Sequence, residues 1–273
     1  MDRKEDLELA GKGEGIVHLE VKGHACILAM DHPETMNSMT PGIMMGLAKG
    51  LDIAAADNDV RGIIITGVGR AWCSGADVRS FGALADVPIM SGAGNIVGAL
   101  TKIRSVPKPV IAAVNGVAAG GGMNLCLLCD IRIFGESGRM TEVFVRRGLM
   151  PDCGGSWLLP RIVGFGKAAE LIFTGDTVGA QECYRLGLAN KVVPDAELMK
   201  AAIELVDHIA EVAAPVAVSH AKEVLELAQS LTLEQTIPEE LHRQEILFKS
   251  ADVMEGAQAF FEKRKPAWTG KLA

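Results

Sequence analysis

The sequence predicts an α/β fold with a mainly parallel sheet, and three observations carry that expectation. Apolar runs of strand length, RGIIITG (61–67), KPVIAAVNG (108–116) and CDIRIFG (129–135), lack the polar alternation of a half-exposed sheet. Segments of helical length separate them, so the connections are too long for hairpins and suit crossovers between parallel strands. Glycine is plentiful at 31 of 273 residues and aromatics are scarce at 4%, a mix that favours tight turns over an aromatic-rich sandwich.

The elements follow in order. IVHLEV (16–21) and HACILAM (24–30) read as two strands joined at Lys22-Gly23, a hairpin signal. Pro41 opens a helix that runs to about Ala56. After the strand at 61–67 and the strand at 108–116, Gly120-Gly121-Gly122 leads into a helical MNLCLLC, and the third strand follows at once. From about 166 onward GKAAELIFTG, GAQECYRLG, DAELMKAAIELVDHIAEVA, PVAVSHAKEVLELAQ and EELHRQEILFK carry helical periodicity, with glycine or proline between them. The last third therefore reads as a helical appendage, and the expected division is a core over 1–205 with a helical region over 206–273. An apolar helical tail after a closed core suits packing against another subunit.

Charge and cysteine usage exclude several function classes. A net charge of −7 argues against a general affinity for nucleic acid or anionic membranes. The six cysteines, at 26, 73, 126, 129, 153 and 183, form no compact framework. Cys126 and Cys129 make a lone C-x-x-C whose simplest reading is two small apolar residues on one helix face. The first fifteen residues, MDRKEDLELAGKGEG, contain no apolar signal core, and no apolar run reaches the ~18 residues of a membrane span. A reducing cytoplasm is the expected compartment. The six histidines are scattered, so no metal site and no Ser–His pair is signalled. GFGKAA (164–169) is a truncated dinucleotide-loop pattern with no preceding strand, and it is discounted.

Three segments place glycine where backbone N–H groups could meet a ligand: GVGRAWCSGADV (67–78), NGVAAGGGMNL (115–125) and GLMPDCGGSWLLPRIVG (148–164). Absent side chains let the backbone approach a bound group closely, and a helix starting there adds its positive end. Two such loops side by side would aim two N–H donors at one oxygen, an oxyanion hole.

These three loops, together with HPETMNSM (32–39) and the closing EKRKPAWTGK, resemble the crotonase (enoyl-CoA hydratase/isomerase) superfamily in order and spacing. The likeness covers roughly 15 to 270. It implies a spiral of ββα turns, a helical C-terminal trimerisation region and trimers that often pair into hexamers. It also implies an acyl-CoA ligand, with coenzyme A part of the substrate and no separate cofactor. Carried over position by position, the oxyanion donors are the amides of Ala76 and Gly121. Ala76, Asp77, Val78 and Arg79 border the coenzyme A arm. Lys263 resembles the lysine that reaches a coenzyme A phosphate of a neighbouring subunit, although an exposed Lys in EKRK also suits a solvated face. The stretch 79–100, rich in Gly, Ala and Met, is expected to supply a mobile pocket wall.

The hydratases of the family use two glutamates, and this chain has Asn124 and Phe144 at their positions. Neither side chain can exchange a proton at neutral pH. Glu142 stands two residues from Phe144 and reads as structural or solvated rather than as a base. The carboxylate left is Asp152, where dienoyl-CoA isomerases, epoxyphenylacetyl-CoA isomerases and a chlorobenzoyl-CoA dehalogenase of the superfamily carry a catalytic Asp. It also suits a helix N-cap. Met, Cys153, Trp157 and Leu neighbours are expected to desolvate it and raise its proton affinity. One carboxylate can move a proton between two carbons, so the resemblance implies isomerisation of an unsaturated acyl-CoA with Asp152 as shuttle. The alternatives are an enoyl-CoA hydratase, an Asp nucleophile on an aryl-CoA (for which the third loop lacks the assisting histidine), and a catalytically silent acyl-CoA-binding protein.

Overall fold

A computed structural model describes residues 7–9, 15–80 and 94–270. Positions 81–93, most of the expected pocket wall, lie outside the described residues. The apolar runs form strands of a seven-stranded sheet in the order β1-β2-β3-β4-β6-β8-β11. Its members are β1 (Leu7–Glu8), β2 (Ile16–Lys22), β3 (Ala25–Asp31), β4 (Gly62–Gly67), β6 (Val110–Val114), β8 (Ile131–Gly135) and β11 (Lys191–Val193). β2 and β3 are the expected hairpin; from β3 onward every pairing is parallel.

A second sheet has the order β10-β9-β7-β5, from β5 (Ala71–Cys73), β7 (Val117–Ala119), β9 (Arg139–Thr141) and β10 (Thr177–Gly179). The pattern is a spiral: β4, β6 and β8 each enter the large sheet, and β5, β7 and β9 each follow into the small one. Because β5, β7 and β9 lie parallel, their C-terminal ends share one edge.

Side-chain alternation along β4 explains why helices cover both faces. Ile63 and Ile65 join the larger core, while Ile64 turns to a second cluster with Ala25, Ile111 and Val206. The larger core is closed by α1 (Pro41–Ala56), α2 (Gly94–Ser105) and α3 (Gly121–Leu128). α1 starts where expected, with Pro41 in its first turn and the Thr40 hydroxyl accepting from the Ile43 N–H at 3.3 Å. Cys126 and Cys129 are buried in this core, as their apolar reading anticipates.

The last third is less purely helical than its periodicity suggests. After α4 (Gly155–Val163), α5 (Phe165–Thr174) and α6 (Ala180–Arg185), strand β11 pairs with β8 and extends the large sheet. Strands β10 and β11 have three residues each, too few for a period-2 signal to stand out. The division expected at 205/206 falls inside α7 (Leu198–Val212), whose Val206 is fully buried against the sheet. Beyond it come α8 (Pro215–Leu227), α9 (Leu233–Leu247) and α10 (Ala251–Glu262). α8 and α9 bury no residue within this chain. The closing PAWTG segment is tied back by the Asp252 carboxylate, which accepts from the N–H groups of Thr269 and Gly270 at 2.7 and 2.9 Å.

Candidate active site

The shared edge of the small sheet assembles the site. β5 delivers Ser74–Asp77, β7 delivers Gly120–Gly122, and β9 delivers Glu142, all at one end. A bond from the Gly120 N–H to the Thr141 carbonyl (2.9 Å) extends the β7–β9 ladder by one residue, fixing Glu142 beside the glycine triplet.

The segment 33–39 clamps the first loop. Met39 N–H donates to the Gly75 carbonyl (2.9 Å), Ser74 N–H to the Met36 carbonyl (3.0 Å), and the Ser74 hydroxyl to the Thr35 carbonyl (2.8 Å). Asn37 holds the clamp in place. Its Oδ1 accepts from the His32 N–H (2.8 Å), and its Nδ2 donates to the carbonyls of Val68 and Ala71 (3.0 and 2.8 Å). Asn37→Ala leaves the His32 N–H and the Val68 carbonyl without these bonds and the Ala71 carbonyl with only the Asn115 amide at 3.4 Å, and an unsatisfied buried group costs about 1–3 kcal/mol. A loss of roughly 3 kcal/mol of folding stability is expected, seen as a lower urea midpoint with unchanged slope.

The two loops are in van der Waals contact. A β-carbon added at Gly75 would lie 2.6 Å from the Ala119 carbonyl oxygen and 3.0 Å from the Gly121 nitrogen. Gly121 opens α3, so its N–H is one of those that a helix leaves without an internal partner. Ala76 follows Gly75 in the facing loop, and no hydrogen bond engages its N–H among the described residues. A β-carbon at Gly121 would lie 2.9 Å from the Met39 sulfur, 3.6 Å from Cys153 Sγ and 3.7 Å from Asp152 Oδ1. Gly121 and Asp152 therefore face one small space beside the loop that carries Ala76, walled on one side by Met39, which the sequence did not single out.

Asp152 does not cap a helix. α4 begins at Gly155 behind Gly154, with no side-chain cap, and it is the Asp152 carbonyl that accepts from the Gly155 N–H (2.9 Å) and from Asn124 Nδ2 (2.9 Å). Its carboxyl is exposed in this chain, contrary to the expected desolvation. Met150 points to solvent at 71% exposure, and Trp157 stacks under the Arg161 guanidinium, 3.9 Å away, instead of covering the carboxylate.

Burial falls on Glu142 instead. This residue is only 1% exposed and is neither solvated nor distant from the site. It follows β9 directly and precedes a 3₁₀ turn (Val143–Arg147), so the chain does not continue as the regular strand that alternation assumes. Phe144 turns into the core and faces Gly120, while Glu142 approaches Asn124 and Asp152. Neither carboxyl oxygen has a hydrogen-bond partner among the described residues. Burial, then the nearby Asp152 charge, pushes its pKa up to about 8, although the proximity of Asn124 favours the charged form. Burial likewise pushes the Cys153 thiol up.

At the mouth, Arg79 folds back onto Asp77 with Nη2–Oδ2 at 2.5 Å, and that guanidinium holds the Asp77 carboxyl down at about 2. Val78 and Arg79 form a short 3₁₀ turn and are largely exposed. Lys263 is not part of this group. It terminates α10 in a left-handed conformation with its side chain in solvent.

Comparison with known proteins identifies the family. The enoyl-CoA hydratase/isomerase family model matches residues 20–271. The 1,2-epoxyphenylacetyl-CoA isomerase of Escherichia coli is 35% identical over 248 residues, covering 89% of this chain and 94% of that protein. The short-chain-enoyl-CoA hydratase of Clostridium acetobutylicum is 33% identical over 261 residues, covering 91% and 95%. Among solved structures, enoyl-CoA hydratase from Bacillus anthracis superposes with a TM-score of 0.87 at 32% identity, covering 93% of this chain and 99% of that one. The ββα spiral is thus the crotonase fold, and the chain belongs to the enoyl-CoA hydratase/isomerase family of acyl-CoA enzymes.

Proposed function

We propose that this enzyme isomerises the double bond of an unsaturated acyl-CoA, with the amides of Ala76 and Gly121 on the thioester oxygen and Asp152 as the proton shuttle. The supporting observation is the Asp152 carboxylate beside Gly121, with a β-carbon there lying 3.7 Å from Oδ1, in a site where Asn124 and Phe144 occupy the hydratase glutamate positions. With a 3-enoyl-CoA, Asp152 takes a proton from the α-carbon, and the negative charge moves onto the thioester oxygen between the two amides. The same carboxyl returns the proton at the γ-carbon, the double bond moves into conjugation, and Asp152 is again ionised. Each oxyanion donor contributes about 2.7–4 kcal/mol to such a step. Hydration needs a second acid/base group in contact with water, and Glu142, at 1% exposure, is too deeply buried to supply one. The name of the E. coli relative favours isomerisation as well.

The proton step is read directly from incorporation of deuterium at the α-carbon of a 3-enoyl-CoA in deuterated water. Asp152→Asn is expected to slow exchange by ~10²–10⁴-fold while acyl-CoA binding survives. Hydration of crotonyl-CoA undiminished in that variant would decide for a hydratase. Intact binding without exchange across a panel of acyl-CoAs would decide for a silent binder.

The same reading extends to assembly and compartment. Leu225, Leu233, Leu241, Phe248, Phe260 and Phe261 are all at least 60% exposed along α8–α10, an apolar surface that a single chain leaves uncovered. Assembly into a homotrimer or hexamer would cover it. The six cysteines are free thiols, five of them buried, which suits a reducing cytoplasm. Coenzyme A enters as part of the substrate, contacted by Asp77, Val78 and Arg79 and by Lys263 of a neighbouring subunit.

A further inference from the structure

We propose that Asn124 is a positioning residue that ties the Asp152 loop to the helix carrying the Gly121 oxyanion donor, so that the spacing of the two catalytic groups depends on one buried amide. The inference deepens the reading of Asp152 as the proton shuttle and rests on it. Gly121 opens α3, and Asn124 follows about one turn later on the same helix, its N–H donating to the Gly120 carbonyl at 3.1 Å. That helix is buried from Gly121 to Leu127, so it offers a fixed frame. Asn124 itself is fully buried, and its Nδ2 reaches across to the Asp152 carbonyl at 2.9 Å. The same carbonyl accepts from the Gly155 N–H at 2.9 Å, a bond that stays within its own turn. The Asn124 bond is the one that joins Asp152 to another element.

The loop needs such a tie. Cys153 has φ +50° and Gly154 φ +87°. A residue with a side chain in that region costs roughly 1–2 kcal/mol, and it persists where its surroundings over-determine it. Among the described residues, no other side chain hydrogen-bonds the backbone between Met150 and Gly154. The fit is close. A β-carbon added at Gly155 would lie 2.3 Å from Asn124 Nδ2, 2.4 Å from Oδ1 and 2.5 Å from Cγ, so the missing side chain at 155 is what lets the amide lie against the loop. With its nitrogen on the Asp152 carbonyl, the amide cannot turn over without presenting Oδ1 to another oxygen. The Asp152 carboxyl is exposed in this chain, so its placement is inherited from its backbone. A proton acceptor must lie within hydrogen-bond reach of the reacting carbon, and a misplacement of about 1 Å can cost ~10²-fold.

Exchange of the α-proton of a 3-enoyl-CoA with deuterated water tests this on the full-length protein. Asn124→Ala is expected to lower turnover by ~10²-fold and to change KM by less than about threefold, because the amide holds the loop and not the ligand. Gly155→Ala displaces the amide from the loop side, at a position outside the left-handed region, and is expected to show the same split. It reads the tie even if Asn124→Ala fails to fold. In the Asp152→Asn background, adding Asn124→Ala is expected to cost less than about threefold more, since a shuttle already removed cannot be misplaced. A further ~10²-fold loss in that background would show Asn124 acting apart from Asp152 and overturns the proposal. Full turnover in folded Asn124→Ala or Gly155→Ala overturns it too, as does a loss confined to KM. Exchange that survives Asp152→Asn alone instead removes the shuttle reading on which the proposal rests.

Discussion

Gly75→Ala is expected to lower turnover of an acyl-CoA substrate by at least ~10²-fold, the loss that follows from displacing one oxyanion donor. Two independent obstacles meet at this position. Gly75 has φ +84°, a region that costs an L-residue roughly 1–2 kcal/mol. The added methyl would also lie 2.6 Å from the Ala119 carbonyl oxygen and 3.0 Å from the Gly121 nitrogen, both backbone atoms that cannot rotate away. The loop has to retreat, and the Ala76 N–H that follows moves with it. Gly69→Ala is the control. Gly69 shares the backbone conformation, with φ +80°, yet the nearest atom to an added methyl is Pro33 Cβ at 3.6 Å. That variant should lose only the roughly 1–2 kcal/mol of the shared backbone conformation and keep its turnover. Steady-state kinetics alongside thermal melts separates the two. Equal turnover in both variants would remove Ala76 from the oxyanion pair.

What is legible in the sequence, and what is not, divides along physical lines. β4, β6 and β8 are readable because strands buried on both faces must be apolar at every position, as GIIITG and VIAAV are. The loops around Gly75 and Gly121 are readable because close backbone approach demands glycine. β11 is not, since KVV is as short as many turns and only its pairing with β8 makes it part of the sheet. The surroundings of Asp152 escape the sequence for a different reason. Met150 and Trp157 are near it along the chain, but one points to solvent and the other lies beneath Arg161. The burial of Glu142 is hidden because strand alternation does not extend past Thr141, where β9 ends. The 3₁₀ turn sends Phe144 into the core, while β9 sets Glu142 beside a β7 loop more than twenty residues away in sequence. Tertiary proximity of that kind has no periodic signature.

The second large effect concerns stability, and its sign follows from linkage. Glu142 holds its proton up to about 8 in the folded state, against an ordinary value of 4.5. Below pH 4.5 both folded and unfolded chains are protonated, and the group contributes no difference. Between 4.5 and 8 the unfolded chain releases a proton that the folded chain retains, so stability falls as pH rises. Above 8 both forms are ionised, and the full cost of a buried carboxylate persists. Each tenfold gain in proton affinity on folding is worth about 1.4 kcal/mol, so the loss across that window is on the order of 4 kcal/mol. Glu142→Gln removes this titration, so its stability relative to the natural protein should increase by about that amount between pH 4.5 and pH 8.5. Urea denaturation of both proteins at the two pH values checks it, because titrating groups remote from Glu142 cancel in the difference. Parallel pH dependence would mean that Glu142 ionises normally in the fold.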